Sequence, residues 1–167
     1  MRFHQNPLLR AIQQIATCTL LLFTATSHAQ QKSNEADALA LIAKAQAYIK
    51  EHGVAKSFIE FNRLDSPFNV RSDINKLGDL YLFSLDYKGL QVVHGKNTKI
   101  RGQVTIHMRD RNGVFLIRDM ALLCARDGKG WVSYVWPNPL NHVPEPKKSY
   151  IERIPGTQTC IGTGIYL

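Results

Sequence analysis

The fold is decided by an aromatic strand and the chain that returns from it, Gly130–Tyr150, with the sequence GWVSYVWPNPLNHVPEPKKSY. Alternate residues of a strand face opposite sides of the sheet, so Tyr134 and Trp136 share one face and Trp131 lies on the other. The prolines that follow form the link to a second strand, which is predicted over Lys147–Ile154. This return brings Lys147 back beside the aromatic strand.

A second hairpin is predicted upstream. LYLFSLD (Leu80–Asp86) is typical of a strand, DYKG is typical of a turn, and LQVVH (Leu90–His94) is typical of the returning strand. Tyr81, Phe83 and Leu85 share one face of the first of these strands.

Three helices are predicted from apolar residues that recur three and four positions apart. Their bounds are Glu35–His52, Ala55–Leu64 and Val114–Arg126. Ser33 or Asn34 is expected to cap the first helix, and Asp110 or Asn112 the third. Between the second hairpin strand and the third helix the chain is polar and loop-like, with one short element at Val104–Met108. With a last strand at 157–167, short links favour an α+β fold: an antiparallel sheet with helices on one side.

The first 29 residues are predicted to be a secretory signal peptide. Arg2 and Arg10 precede a short apolar run, and the small residues Ser27 and Ala29 stand before the expected cut after Ala29. An uncleaved membrane anchor is the alternative, which the shortness of the apolar run disfavours. We therefore expect one domain over residues 30–167, located in the periplasm or secreted.

Charge and cysteine content narrow the class of protein. The chain carries 21 basic and 13 acidic residues, for a formal net charge of +8. No nucleic-acid-binding motif accompanies that charge, so nucleic acid is not expected as a partner. Cys18 falls in the predicted signal peptide. The remaining pair, Cys124 and Cys160, forms either one disulfide or two buried free thiols in an exported chain.

Sequence motifs of catalysis are missing. The sequence has no Gly-x-Ser-x-Gly elbow, no phosphate-binding loop and no His-Glu-x-x-His. Histidines after residue 29 do not pair at metal-ligand spacing. The GTG at Gly162–Gly164 is too short for a nucleotide loop and is interpreted as a strand whose backbone is closely approached. We therefore expect no enzymatic activity, no metal and no cofactor.

The aromatic faces of the two hairpins have two interpretations. If they look the same way, Tyr81, Phe83, Tyr134 and Trp136 line one surface. On pattern alone a packed core is the favoured interpretation of such a surface. Buried Tyr and Trp tips need polar partners, however, and a mostly apolar cavity with a few donors is how small-molecule sites are built.

Lys147 and His94 add the charge that such a site would need. Lys147 is either a solvated surface residue, as expected for Lys148, or a cation at a pocket rim that pairs with an anion such as a carboxylate. His94 is either structural, a donor to the same anion, or a pH switch.

Eight segments in order carry a resemblance to a known family. They are AYIKEHG, FIEFN with PF after it, GDLYLFSLDYKG, VVHG with a following RG, RDRNGVFLIRDM, GKGWVSYVWPNP, EPKKSYIERIPG and GTGIYL. Over 36–167 the chain resembles the single Cache domains of bacterial extracytoplasmic sensing, of the second single-Cache type. The resemblance implies a PAS-like fold, in which a long N-terminal helix packs along a curved antiparallel sheet that carries a ligand pocket.

The resemblance also implies a ligand class and a set of residues. Small organic acids such as acetate, propionate, lactate or pyruvate are the usual ligands of these sensor domains, which serve signal transduction and chemotaxis. The matching positions are Tyr81, His94, Tyr134, Trp136 and Lys147. Lys147 is expected to pair with the carboxylate, and Tyr134 and Trp136 to form walls and donors.

Two departures from the family shape the functional expectation. The last strand often carries an aromatic residue where this chain has Thr159, and most such domains precede a second membrane helix and a signalling module, whereas this sequence ends at Leu167. We expect a stand-alone domain that binds a small organic acid and presents it to a membrane receptor or kinase in trans. The alternative is a periplasmic accessory protein that acts through surface contacts because its pocket has decayed.

Overall fold

The structure is a computed structural model that describes residues 32–167, so the predicted signal peptide and its cut after Ala29 lie outside the described residues. The elements are α1 (Glu35–His52), α2 (Val54–Phe61), β1 (Phe83–Asp86), β2 (Leu90–Gln91), a short 3-10 helix (Thr98–Ile100), β3 (Gln103–Val104), α3 (Leu116–Asp127), β4 (Lys129–Pro137), β5 (Pro144–Arg153) and β6 (Thr159–Tyr166). Across this described part of the chain, the helices are too short or too polar to cross a membrane.

The bounds of α1 agree with the prediction because both of its ends are set locally. The Asn34 side chain accepts a hydrogen bond from the Asp37 backbone N–H at 3.1 Å, and the Asp37 carboxylate accepts one from the Asn34 N–H at 2.9 Å. This reciprocal pair is a capping box. At the other end Gly53, with φ 78°, takes a conformation that other residues rarely adopt and stops the helix.

The main sheet is antiparallel, with the strand order β1-β6-β5-β4. The predicted aromatic hairpin is β4–β5, which pairs from Lys129 opposite Glu152 to Pro137 opposite Pro144. Lys147 on β5 lies opposite Tyr134 on one side and opposite Tyr166 of β6 on the other. The hairpin therefore brings Lys147 to the aromatic strand, as the sequence predicted.

The upstream hairpin is present in a shorter form. β1 pairs with β6, and the returning chain reaches β1 through a single bridge between Phe83 and His94. Two backbone hydrogen bonds flank that bridge, from Ser84 N–H to Val93 O and from Gly95 N–H to Leu82 O. β2 pairs instead with β3, which overlaps the start of the predicted short element at 104–108.

The expectation that the helices share one side of the sheet was wrong. α1 packs on the face that carries Ile161 and Ile165, whereas α3 packs on the face that carries Ile151 and Cys160. The physical reason is that β5 and β6 bury residues on both faces, so each face needs its own cover.

The ends of α2 and α3 differ from the prediction because tertiary contacts set them. α2 ends at Phe61 rather than Leu64. α3 begins at Leu116, and neither Asp110 nor Asn112 caps it. The Asp110 carboxylate instead accepts hydrogen bonds from three backbone N–H groups, those of Asn112, Val114 and Val135, and so fixes the preceding loop to β4.

Cys124 and Cys160 form a disulfide in the structure, with their Cα atoms 6.2 Å apart. The bond joins the last turn of α3 to the second residue of β6. Of the two alternatives that the sequence left open, the structure therefore contains the bridge, and it fixes α3 to the sheet covalently.

Candidate ligand-binding site

Lys147 is buried in the sheet and does not lie at a pocket rim or on the surface; only 1% of it is exposed. Gly164, on the neighbouring β6, provides the space for it. A Cβ atom at Gly164 would lie 2.7 Å from Lys147 Cε and 2.2 Å from Ser149 Oγ. The interpretation of GTG as a closely approached strand is therefore confirmed, and the missing side chain lets the lysine stem pass.

The Lys147 ammonium is surrounded by phenol rings. Its Nζ donates a hydrogen bond to the Tyr81 hydroxyl at 2.7 Å, and it lies 4.0 Å and 4.8 Å from the ring centroids of Tyr81 and Tyr166. No carboxylate among residues 32–167 forms a salt bridge with it. Burial holds the pKa of Lys147 well below its ordinary value, although the negative charge of Asp79 acts in the opposite direction.

The tyrosines around Lys147 are protonated donors. Burial is the main reason that the pKa of Tyr81, of Tyr134 and of Tyr166 is raised above the ordinary value. The hydroxyls of Tyr134 and Ser149 lie 2.8 Å apart, and the Tyr166 hydroxyl donates to the carbonyl of Pro137 at 2.8 Å. Lys147 therefore lacks an ionised phenol as a counter-ion.

His94 is held as a neutral ring with one donor. Its Nδ1 lies 3.0 Å from the backbone N of Asn97 and 3.4 Å from that of Lys96, so Nδ1 accepts and the ring hydrogen is on Nε2. Burial first, then the positive charges of Lys147 and Arg101, lower the pKa of His94 to about 3. A neutral ring at physiological pH favours the donor interpretation over the pH switch.

A cavity of about 300 Å³ opens beside these groups. Three of the predicted site residues line it, Tyr81, His94 and Trp136. Its other walls come from the loop after β2 and from the β4–β5 link: Lys96, Asn97, Pro137, Asn138, Pro139 and His142.

The remaining predicted residues lie deeper. Tyr134 lines a void of only about 10 Å³, which also touches Tyr81, His94 and Trp136. Lys147 lines neither space and meets the larger cavity through its hydrogen bond to Tyr81. Tyr134 is therefore a packing partner of the wall, and Lys147 lies behind the wall.

Sequence reasoning missed the polar half of the cavity wall. The β4–β5 link folds back on itself, with hydrogen bonds from Asn138 N–H to Val143 O and from His142 N–H to Asn138 O. The polar residues that follow Pro137 were the available signal. Thr159, which stands where the family often has an aromatic residue, pairs with Asp86 and does not line this cavity.

A larger groove of about 580 Å³ lies elsewhere, between the α1–α2 junction and the end of β5. Ile49, Val54, Ile154 and Pro155 form most of its apolar wall, and Glu152 is on its edge. It contains none of the residues that the sequence predicted for the site.

Comparison with known proteins identifies similar chains. The sequence is 30% identical over 89 residues to the methyl-accepting chemotaxis protein McpP of Pseudomonas putida, a match over 53% of this chain and 16% of that protein. The chain thus spans only about a sixth of the length of that relative.

Three solved structures share the fold. One is described as the periplasmic sensor domain of a chemotaxis protein, with a TM-score of 0.59, 24% identity and coverage of 80% of this chain and 89% of that one. A methyl-accepting chemotaxis protein from Vibrio parahaemolyticus gives 0.60 and 23%, with coverage of 78% and 86%. A structure described as the basis for carboxylic acid recognition by a Cache chemosensory domain gives 0.58 and 22%, with coverage of 77% and 84%.

The family itself follows from a match along almost the whole described chain. A family model, dCache_2, described as "Cache domain", matches residues 28–167. The helix-flanked antiparallel sheet and the similar solved structures agree with that match. The chain therefore belongs to the Cache domain family of extracytoplasmic sensor domains.

Proposed function

We propose that this Cache domain binds a small organic acid in the 300 Å³ cavity, where the carboxylate meets Tyr81 and His94 and is neutralised by Lys147. The observation that carries the proposal is a buried lysine without a salt-bridge partner among residues 32–167, directly behind the Tyr81 part of the cavity wall. An unpaired buried cation costs several kcal/mol, and a bound carboxylate would supply the missing charge.

The size and the lining of the cavity favour a short acid. A volume of about 300 Å³ is at the small end of ligand sites, which cover about 300–1,000 Å³. Trp136 and Pro137 offer an apolar wall to a short carbon chain, while His94 offers a donor. Acetate, propionate, lactate and pyruvate are therefore the acids to test. One similar structure is described as the basis for carboxylic acid recognition by a Cache chemosensory domain, which supports this class.

We place this binding at the start of a chemotactic signal. The similar chains are a methyl-accepting chemotaxis protein and sensor domains of chemotaxis proteins. In this proposal the domain acts outside the cytoplasm after its signal peptide is removed, and a membrane receptor or kinase senses whether the cavity is occupied.

A second candidate function is an accessory protein that acts through its surface contacts. The observation that favours it is the tight packing around Tyr134, where the void is only about 10 Å³. In that case the cavity beside Trp136 would bind no organic acid. The two functions therefore differ in whether the protein binds such an acid.

A thermal-shift screen separates the two. We expect at least one of the four acids, at about 100 times its Kd, to raise Tm by about 5 °C or more. The matched amides, such as propionamide, should have no effect because they lack the charge. Lys147→Met should abolish the shift and Lys148→Met should preserve it. If no acid raises Tm, the accessory role is favoured; an equal shift by acid and amide would contradict the charge-based account.

A further inference from the structure

Lys147 carries an inference that rests on the proposed function. We propose that the acid binds as a carboxylate together with one proton, which is taken from solvent and ends on the Lys147 amine. The proposal starts from geometry: Lys147 is 1% exposed, and its hydrogen-bond partner is a neutral phenol. Both facts disfavour a charged amine while the cavity is empty.

The charged and titratable groups around Lys147 come from every element packed against it. β4 contributes Tyr134, β6 contributes Tyr166, the segment before β1 contributes Tyr81 and Asp79, and the chain after β2 contributes His94 and Arg101. Asp79 is the acid of this set, and its carboxylate is already bonded to the Ser33 N–H at 3.3 Å and to the Ser33 hydroxyl at 2.7 Å. A ligand carboxylate would therefore be the first acid to form a direct ion pair with the lysine.

The step is a proton uptake without covalent change. A neutral amine, a carboxylate and one solvent proton give an ammonium–carboxylate pair, so the occupied site has no net charge from these two groups. The Lys147 Nζ donates to the Tyr81 hydroxyl, and Tyr81 lines the cavity. This one phenol therefore links the buried amine to an acid that lies in the cavity.

His94 is the competing acceptor of the proton, and its hydrogen bonds disfavour it. Its Nδ1 already accepts from the backbone N–H groups of Asn97 and Lys96. A proton on Nδ1 would break both hydrogen bonds and leave the two backbone N–H groups facing an N–H of the ring. Protonation of Lys147 breaks no hydrogen bond.

The proposal predicts a pH dependence with a definite sign. The carboxylate raises the pKa of an amine that is lowered by burial in the empty site. Between the two pKa values binding takes up a proton, so the affinity falls as the pH rises, by up to about tenfold per pH unit. Below the lower value the amine is charged in both states, and the affinity no longer depends on this group.

Calorimetry in two buffers tests the proton. Acetate, propionate, lactate and pyruvate are titrated into the protein at about pH 8 in phosphate and in Tris, whose ionisation enthalpies differ. We expect the binding heat to change with the buffer by the amount for uptake of up to one proton, in the wild type and in Lys148→Met. His94→Gln should bind more weakly and still take up the proton.

Three outcomes would overturn the proposal, and they are distinguishable. Binding whose heat is the same in both buffers removes the proton coupling and leaves acid binding intact. Uptake that disappears in His94→Gln but persists in Lys147→Met removes the assignment of the proton to Lys147 and also leaves acid binding intact. No binding heat with any of the four acids removes the proposed function itself, and the proton coupling with it.

Discussion

The two faces of the main sheet are built from the same strands, and both bury apolar residues, but only one of them also buries a lysine. On the α1 face, Ile161 and Ile165 belong to an apolar cluster. On the α3 face, β5 instead buries Lys147 and Ser149 beside tyrosines. Because a strand alternates its side chains, one step along β5 separates a packing surface from a candidate binding surface.

Lys147 and Lys148 show the contrast most directly. Lys147 is buried and bonded to a phenol, whereas Lys148 is partly exposed, pairs with Glu35 and lies 4.9 Å from the ring centroid of Trp131. Two adjacent residues of one type therefore have different roles. Buried polar groups without full charge compensation are expected where stability has been given up for function.

The largest expected effect comes from the bond that fixes α3 over the candidate binding face. The double variant Cys124→Ser and Cys160→Ser opens a loop with a sequence separation of 36 residues. The chain-entropy relation gives a loss of about 4 kcal/mol in the free energy of unfolding. Urea denaturation measures it, with the reduced wild type as the control. A loss below about 1 kcal/mol would show that packing alone holds α3 to the sheet.

His94 gives the next largest effect, through pH. Its folded pKa, about 3, lies below its ordinary value of 6.5, so the unfolded state binds more protons and stability falls as the pH drops below about 6.5. Between pH 6.5 and 4.5 this group should lower the free energy of unfolding by about 2 kcal/mol. His94→Gln should remove that part of the acid dependence in urea titrations. The same acid dependence in both proteins would contradict a neutral, buried ring.

Gly164→Ala is expected to disturb the packing of the candidate binding face. Its new Cβ would meet Ser149 Oγ and Lys147 Cε well inside normal contact distances. We expect a loss of about 2 kcal/mol in unfolding free energy, because overpacking displaces both side chains. Acid-induced stabilisation should fall as well. Ser133→Ala, at an exposed position of β4, is the control for a small substitution in this sheet. Unchanged stability would mean that Lys147 has room to move.

The smallest effect is expected on the α1 face. Glu35→Gln and Lys148→Met, alone and together, should reveal a coupling of about 0.5 kcal/mol, because both groups are partly exposed to solvent. The coupling should weaken with added salt. A coupling above about 2 kcal/mol would show that the surface pair contributes to stability as a buried pair would, which would contradict the difference between the two lysines.

The sequence could predict those features that interactions between neighbouring residues determine. The capping box at Asn34 and the glycine after α1 are both local, so both bounds of that helix were predictable. Strand alternation and the proline link were enough to bring Lys147 to Tyr134. The start of α3 was not predictable, because Asp110 uses its carboxylate on β4 as well as on its own loop.

The sequence predicted which aromatic side chains lie together better than it predicted how deep each one lies. Tyr81, His94 and Trp136 line one cavity, and their role in ligand binding stays a prediction. The burial of Lys147 depends on the missing side chain of Gly164 on another strand, and no pattern within β5 reveals it. The helices on both faces were missed because short links alone do not say which side of a sheet a helix covers.

The location of the bound acid decides between the Tyr81 cavity and the apolar groove. A crystal structure with the most stabilising of the four acids should show the carboxylate within hydrogen-bonding distance of the Tyr81 hydroxyl, in the cavity lined by His94 and Trp136. An acid bound instead in the apolar groove between Ile49 and Ile154, with the Tyr81 cavity empty, would contradict the account.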